Sequence, residues 1–444
     1  MDRIAQPSEG SSRGKAWFPQ LSRELWILAA GQFLLFLGQG FTLVYASIYF
    51  VNQLGFSATQ VGLALSSSGF AGIVGRFLAG NALDAPRLGR RGTLLLAAML
   101  SGIAGFCLAF ADTFGLLIAG NVLMGLGISL YWPATLAMTT DLTTTENRTE
   151  AFALTRLADN LGLGVGALLA GQYIALSGNY RTLFMGKGVL YLCFGLVIYW
   201  AIAETRQTQT TPRQLVRNWW QALNDRVFLT YLIANIFFTT YAAQLNSTLP
   251  LYLANFVPGG NTDTGFSEQL ISYLFFWNAF LKIVLQLPLL RWLRQLAHVN
   301  ILLIALVLWT GGFLFIWITG MVPAHALGSA YATFALIAIA EILYAPSAVA
   351  LVGEIAPQDL RGIYFSLESE CWAIGFLIGP AMGGWALDHP TQMGSNFWLL
   401  LLGSTVVAGS ILLILRQRLP QGFPGTLENR DTYLEVKDEV ESGI

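Results

Sequence analysis

The segment YWPATLAMTTDLTTTENR at 131–148 recurs in altered form as YAPSAVALVGEIAPQDLR at 344–361. At a single offset of 213 residues, Tyr131, Pro133, Asp141, Glu146 and Arg148 fall on Tyr344, Pro346, Glu354, Asp359 and Arg361. Continuing at that offset, Gly162, Gly166 and Gly171 fall on Gly375, Gly379 and Gly384. A shorter echo sets Gly55-Phe56-Ser57 against Gly265-Phe266-Ser267. Glycine and proline recur in any set of apolar helices, but eight matches at one offset, including acid-x4-acid-x-Arg, mark two repeated halves.

The segments between these repeats are apolar. Of 444 residues, 55% are hydrophobic and 11% charged, against roughly 25% charged in an ordinary soluble domain. So few charges cannot cover a water-facing surface of this size, and the net charge of -1 gives no footing for nucleic acid. A span needs about 20 mostly apolar residues to cross a bilayer core of roughly 30 Å. Twelve runs qualify, at about 25–50, 58–83, 92–111, 114–139, 149–176, 183–203, 227–254, 267–290, 299–319, 325–351, 361–387 and 395–416. No ten-residue alternation of a membrane barrel is present, so the spans are helices. The fold class expected is an all-α membrane protein with twelve transmembrane helices in two pseudo-symmetric six-helix bundles. The first apolar run lacks a small-residue cleavage site and reads as a retained span.

Lysine and arginine orient the spans, because cationic loops stay on the cytoplasmic side. The N-terminus, the even-numbered loops and the C-terminus hold 19 of the 24 cations, and the odd-numbered loops hold only Arg181. Both termini are therefore expected in the cytoplasm, in a cell (inner or plasma) membrane. The organisation expected is a cytoplasmic tail at 1–24, a bundle at 25–204, a linker at 205–226, a bundle at 227–416 and a tail at 417–444. The linker sets Arg206, Arg213 and Arg217 beside Trp219 and Trp220, suited to an amphipathic segment on the membrane surface. The last segment is acidic and reads as disordered.

The residues at 80–91, Gly80-Asn81-Ala82-Leu83-Asp84-Ala85-Pro86-Arg87-Leu88-Gly89-Arg90-Arg91, resemble the loop signature Gly-x3-Asp-Arg-x-Gly-Arg-Arg of the major facilitator superfamily, with Ala85 and Pro86 inserted. Gly375, Gly379, Pro380, Gly383 and Gly384 resemble the small-residue pattern of that superfamily's drug/proton antiporters, although there it sits in the fifth span. Here the fifth span has Ala167 where the proline would be, and these glycines read equally as helix packing and kink residues. A third family motif, an arginine four residues before Gly-x-Gly in the fourth span, is replaced by Asn121 before Gly125-Leu126-Gly127. The resemblance implies a secondary transporter that alternates access about a midplane site. It also implies that Asp84 meets the N-terminal end of the eleventh helix, where a helix dipole favours a carboxylate. Asp84, Arg87, Gly89, Arg90, Arg91, Asp141, Glu146, Arg148, Glu354, Asp359 and Arg361 are then gating-loop candidates. The first, fourth, seventh and tenth spans would surround the cavity, with Gln32, Gln39, Asn121, Tyr131, Asn235, Gln244 and Tyr344 among the lining residues, together with Arg156, Lys282 and Trp372. Each neutral polar residue among these reads equally as a helix-helix hydrogen bond.

Charges inside a bilayer cost at least ~2.5 kcal/mol each on insertion scales, so each one is a functional candidate. At ~1.5 Å per residue, Arg156, Asp159, Lys282, Glu341, Glu368 and Glu370 lie about 10 to 17 Å inside their helices, in one layer. In the second half Lys282 faces three acids, so at least one carboxylate is expected to carry a proton. Glu341, Glu368, Glu370 and Asp159 are the proton-coupling candidates. Of Glu368 and Glu370, which point different ways around a helix, one is expected to face the cavity and the other to pair with Lys282. Arg156 and Asp159, three apart, are spaced for a self-satisfied pair.

Cys107, Cys193 and Cys371 are scattered singly, and His298, His325 and His389 are far apart, so neither a disulfide framework nor a metal site is expected. No cofactor, nucleotide loop or catalytic motif is expected, and the chain is read as a transporter, not an enzyme. The leading expectation is proton-coupled export of an amphiphilic or drug-like compound by a monomer in the lipid bilayer. The alternatives are a symporter for a sugar-like or anionic solute using Arg156 and Lys282, a lipid flippase, and a transport-dead sensor or scaffold acting through the acidic tail.

Overall fold

In a computed structural model the chain is described at residues 21–84, 88–144, 147–204, 215–257, 265–293, 295–357 and 360–419. Twelve long helices organise it. The first half holds α1 Arg23–Leu43, α2 Ala58–Asp84, α3 Gly89–Ala109, α4 Phe114–Asp141, α5 Arg148–Ser177 and α6 Tyr180–Ala201. The second holds α7 Arg226–Asn255, α8 Glu268–Leu293, α9 His298–Met321, α10 Ala326–Ile355, α11 Arg361–Asp388 and α12 Asn396–Arg418. A short helix, Leu215–Asn224, joins the halves. The expected linker thus contains a helix; the acidic tail after 420 lies outside the described residues.

Eleven of the twelve are long and apolar enough to cross a membrane. The exception, α11, is equally long at 28 residues but carries Glu368 and Glu370 and a run of glycines that lower its hydropathy. It runs beside α2 in the middle of the assembly, where a less apolar helix is shielded from lipid by protein.

Local chemistry sets the helix ends. Ser22, Thr113, Asn179 and Asp225 accept from the exposed backbone N–H groups that open α1, α4, α6 and α7. Gly178 closes α5 at φ 64°, a left-handed turn that a side chain would resist. Pro133 in α4 and Pro346 in α10 occupy equivalent places in the two halves, each removing one backbone bond.

The packing repeats the sequence duplication. In the first half α1 packs on α5 and α6, α3 on α4 and α6, and α2 on α4. In the second, α7 packs on α11 and α12, α9 on α10 and α12, and α8 on α10. Two seams join the halves, α2 against α11 and α5 against α8. The first seam is close because it is glycine-lined: a Cβ on Gly69 would stand 2.5 Å from the Leu377 nitrogen and 2.6 Å from the Ala373 oxygen. At Gly384, a glycine of the repeat, the backbone passes against that of Ala58.

Hydrogen bonds between the halves gather at the end of the bundle away from both termini. Asn52 and Asn255 exchange two bonds of 2.8 Å. The Gln172 amide donates to the Tyr273 hydroxyl at 3.0 Å, and Tyr45 Oη donates to the Glu268 carbonyl at 3.2 Å. Asp388, the last residue of α11, accepts from the backbone N–H groups of Ala58 and Thr59 at 2.9 and 2.7 Å. A carboxylate from one half thus caps the first turn of a helix in the other, where orphan N–H groups and the helix dipole both favour it. This is the closed end.

Losing such a cap costs about 1 kcal/mol, enough to shift a two-state equilibrium roughly five-fold. Asp388→Ala is therefore expected to raise the rate at which a Ser247→Cys thiol, just beneath the closed end, reacts with an impermeant maleimide. Labelling equal to that of the same cysteine with Asp388 intact would show that the contact does not hold the end shut.

Candidate functional site

The midplane charges fall into two sets, one on each side of α11. Successive residues turn by about 100° around a helix, so Glu368 and Glu370 are roughly 200° apart. Glu370 faces α2, where its Oε2 is 4.0 Å from Arg76 Nη1, and Arg76 Nε donates to the neighbouring Ser369 hydroxyl at 3.0 Å. Glu368 faces α7 and α10 instead. Its Oε1 accepts from the Asn235 amide at 3.5 Å, and the Asn235 carbonyl oxygen accepts from the Tyr344 hydroxyl at 2.6 Å.

The cation expected to pair with Glu368 or Glu370 does neither. Lys282 Nζ sits 2.5 Å from Glu341 Oε2, bridging α8 and α10 within the second half. The reason is packing: α8 and α10 are neighbours, so the shortest route for the Lys282 stem leads to α10 and not to α11. Nor does the three-residue spacing of Arg156 and Asp159 produce a pair. Arg156 is exposed and lies over the Trp132 ring, 5.3 Å from its centroid. Asp159 is buried with one carboxylate oxygen lacking any partner. Arg156 and Arg76 both lie within electrostatic range of Glu368 across the seam.

The other sequence candidates divide between the site and the packing. Trp372 is 6.2 Å from Tyr344 by ring centroids, and Phe238 stacks on Tyr344 at 4.8 Å, so the tyrosine bonded to Asn235 beside Glu368 belongs to an aromatic cluster. Gln32 and Tyr131 are buried within the first half, and Gln39 accepts from Tyr191 at 2.8 Å. Asn121 donates to Leu117 of its own helix, whereas Gln244 donates to the Gly379 carbonyl at 2.8 Å and ties α7 to α11. Gly375, Gly379 and Gly383 face α7 side chains, and Pro380 and Gly384 face α2, so this motif is where α11 packs closely on two helices at once.

At the end carrying the termini, Gly89 takes φ 61° and opens α3. The Glu204 carboxylate closes on that turn, accepting from Arg90 and Arg91 backbone N–H groups at 2.9 and 3.1 Å. Arg90 Nε is 2.5 Å from Asp141 at the end of α4. The second half repeats this arrangement: His298 at the start of α9 lies 3.5 Å from Glu354 at the end of α10. Arg148 and Arg361 open α5 and α11. The Asp84 side chain, Arg87, Glu146 and Asp359 lie outside the described residues. Arg76, Ser369, Glu204 and Asp388 were not among the sequence candidates. The signal for the last two was an acid placed just past or at the end of an apolar run.

Charged groups held at mid-depth between two repeated six-helix bundles define a secondary transporter, whose halves rock about a central site. The comparisons agree. The Major Facilitator Superfamily pattern matches residues 28–261 and 253–435. The chain belongs to that superfamily, a family of transporters and not an enzyme class, and is an integral membrane protein. It is 28% identical over 357 residues to the multidrug resistance protein MdtH of Salmonella typhimurium, covering 79% of this chain and 83% of that one. Its fold matches the crystal structure of the nucleoside transporter NupG at a TM-score of 0.75 and 14% identity, covering 90% of this chain and 100% of that one. The peptide transporter POT in complex with sulfate matches at 0.74 and 15%, covering 91% and 96%.

Breaking a half-buried ion pair by removing one partner leaves the other charge unpaired and costs up to about 3 kcal/mol, the figure for a fully buried pair. Lys282→Met should lower the unfolding temperature in detergent, and Lys282→Met with Glu341→Gln should recover most of it. A double variant no more stable than the single would show that the two residues are not coupled.

Proposed function

We propose that this chain exports amphiphilic, drug-like compounds from the cytoplasm in exchange for protons, with Glu368 as the carboxylate that takes and releases the proton. One observation carries the reading: among the described residues Glu368 is the buried midplane glutamate with no cation within 4.0 Å, while Glu341 and Glu370 each have one. A carboxylate with no cation in contact changes charge at lower cost than one locked to a cation. The aromatic groups beside it, Tyr344 and Trp372, suit an apolar substrate face. The name of the Salmonella relative, a multidrug resistance protein, supports the substrate class.

The orientation follows from charge. With 19 cations on the side of the termini, that side is cytoplasmic, and the closed end with Asp388 faces outward. The molecule then faces inward, as a monomer of two bundles, 25–204 and 227–416, in the cell or inner membrane. A second reading draws on Arg156, an exposed cation with no carboxylate within 4.0 Å among the described residues: uptake of an anionic solute held by its guanidinium.

In proteoliposomes, Glu368→Gln should abolish ethidium accumulation driven by a pH gradient while leaving ethidium exchange without a gradient intact. Gradient-driven accumulation at the unmodified rate would remove Glu368 from the mechanism. Competition by benzoate but not by tetraphenylphosphonium would favour the anion reading.

A further inference from the structure

Among the described residues, Lys282 with Glu341, Arg90 with Asp141, Arg181 with Asp112 and His298 with Glu354 each pair within one half, whereas Arg76 with Glu370 joins the two halves. That pair is also the loosest of these. Arg76 Nη1 and Glu370 Oε2 stand 4.0 Å apart, about 1 Å beyond a charge-assisted hydrogen bond, and both atoms are enclosed without a hydrogen-bond partner. Buried polar atoms are almost always satisfied, and an enclosed cation and carboxylate that face each other unbonded are costly. Arg76 is kept near contact by its Nε, which donates to the Ser369 hydroxyl at 3.0 Å. The duplication does not require a charge pair at this place. At the offset of 213 Glu370 falls on Leu157, and at the offset of 210 that relates Gly55 to Gly265, Arg76 falls on Gln286.

Its place along the seam explains the gap. The antiparallel α2 and α11 are tightest near the end away from the termini, where the backbones meet at Gly384 against Ala58 and at Gly62 against Pro380. Next, Ser66 Oγ accepts from the Ala381 N–H at 3.0 Å. A Cβ on Gly69 would still stand 2.5 Å from the Leu377 nitrogen. At Gly72 the nearest α11 atom is the Ala373 methyl carbon, at 3.5 Å, and no α11 backbone atom comes within 4 Å. Arg76 follows one turn later, about 12 Å short of the Asp84 end of α2. Two helices that touch at one end and part toward the other form a V, and the loose ion pair lies where the V begins to open.

We propose that Arg76 and Glu370 are the latch of the opposite state of this transporter, an ion pair that completes its bonds when the halves rock to close the end carrying the termini. Rocking that separates α2 from α11 at Gly62 and Gly384 brings the same two helices together where they now part. An approach of about 1 Å turns the 4.0 Å gap into a charge-assisted hydrogen bond, and Nη1 and Oε2 each gain the partner they lack. Since the bond is absent in the present conformation, its energy stabilises the opposite state alone. Glu370 thereby has a task separate from that of Glu368, which faces α7. The latch requires alternating access and no particular coupling ion, so it stands apart from the antiport reading.

A Ser247→Cys thiol, buried beneath the closed end, reports how often that end opens through its rate of reaction with an impermeant maleimide. Removing a charge-assisted bond from the opposite state alone lowers the population of that state. Arg76→Gln and Glu370→Gln should therefore each slow the labelling by at least about ten-fold. Both remove the same bond, so the double variant, Arg76→Gln with Glu370→Gln, should be slowed no further than either single one. Labelling as fast as with both residues intact, or faster, overturns the latch, and so does a double variant slowed by the product of the two single effects. Each single variant leaves a buried charge unpaired, and should either fail to fold, the double variant decides alone. Slowed labelling there supports the latch, whereas an unchanged rate, or a double variant that also fails to fold, assigns the pair to bracing the fold and overturns it.

Discussion

A bilayer core offers no water to a charge, and that constraint organises this molecule. Every ionisable side chain carried to mid-depth must meet an opposite charge, share a hydrogen bond or give up its charge. Lys282 meets Glu341 and Arg76 meets Glu370, each pair joining two helices that already pack together. Glu368 and Asp159 have only polar or aromatic company at contact distance. The division between paired and unpaired carboxylates separates groups that brace the fold from groups able to change state.

The same economy appears at the two ends. The end away from the termini is held by a carboxylate placed on a helix start, Asp388 on α2, with neutral amide and hydroxyl contacts around it. Such a contact is strong enough to fix a conformation and weak enough to be exchanged during transport. At the end carrying the termini the two halves hold equivalent acids, Asp141 and Glu354, against different bases. One base is an arginine, the other a histidine, which is charged only when protonated. The duplication preserved the architecture of the contact while its chemistry diverged.

Glycine supplies the mechanical counterpart. Gly69 on α2 and Gly375, Gly379 and Gly383 on α11 bring backbones into contact, so α11 serves both as a member of its own bundle and as half of a seam with the other. That double role explains the composition of α11. A helix flanked by α2 and α7 tolerates two glutamates and many glycines, which a lipid-facing helix would not.

Much of this was legible in the residues. The offset between Tyr131 and Tyr344 gave two halves and apolar run lengths gave twelve helices, while loop arginines set the expected orientation. Each depends on chain-local quantities, hydropathy over about 20 residues and charge in the loops, which the bilayer reads segment by segment. The layer of mid-depth charges was equally visible, because depth follows from rise per residue. The pairing of that layer was not. Lys282 turned to Glu341, Arg76 to Ser369 and Glu370, and Arg156 to Trp132 in place of Asp159, because partners are chosen by helix adjacency and by rotation about each helix axis. Those are set by interhelix packing. The sequence by itself determined how many helices there are and what they carry; only the tertiary structure decided which charges meet and which stand without an opposite charge in contact.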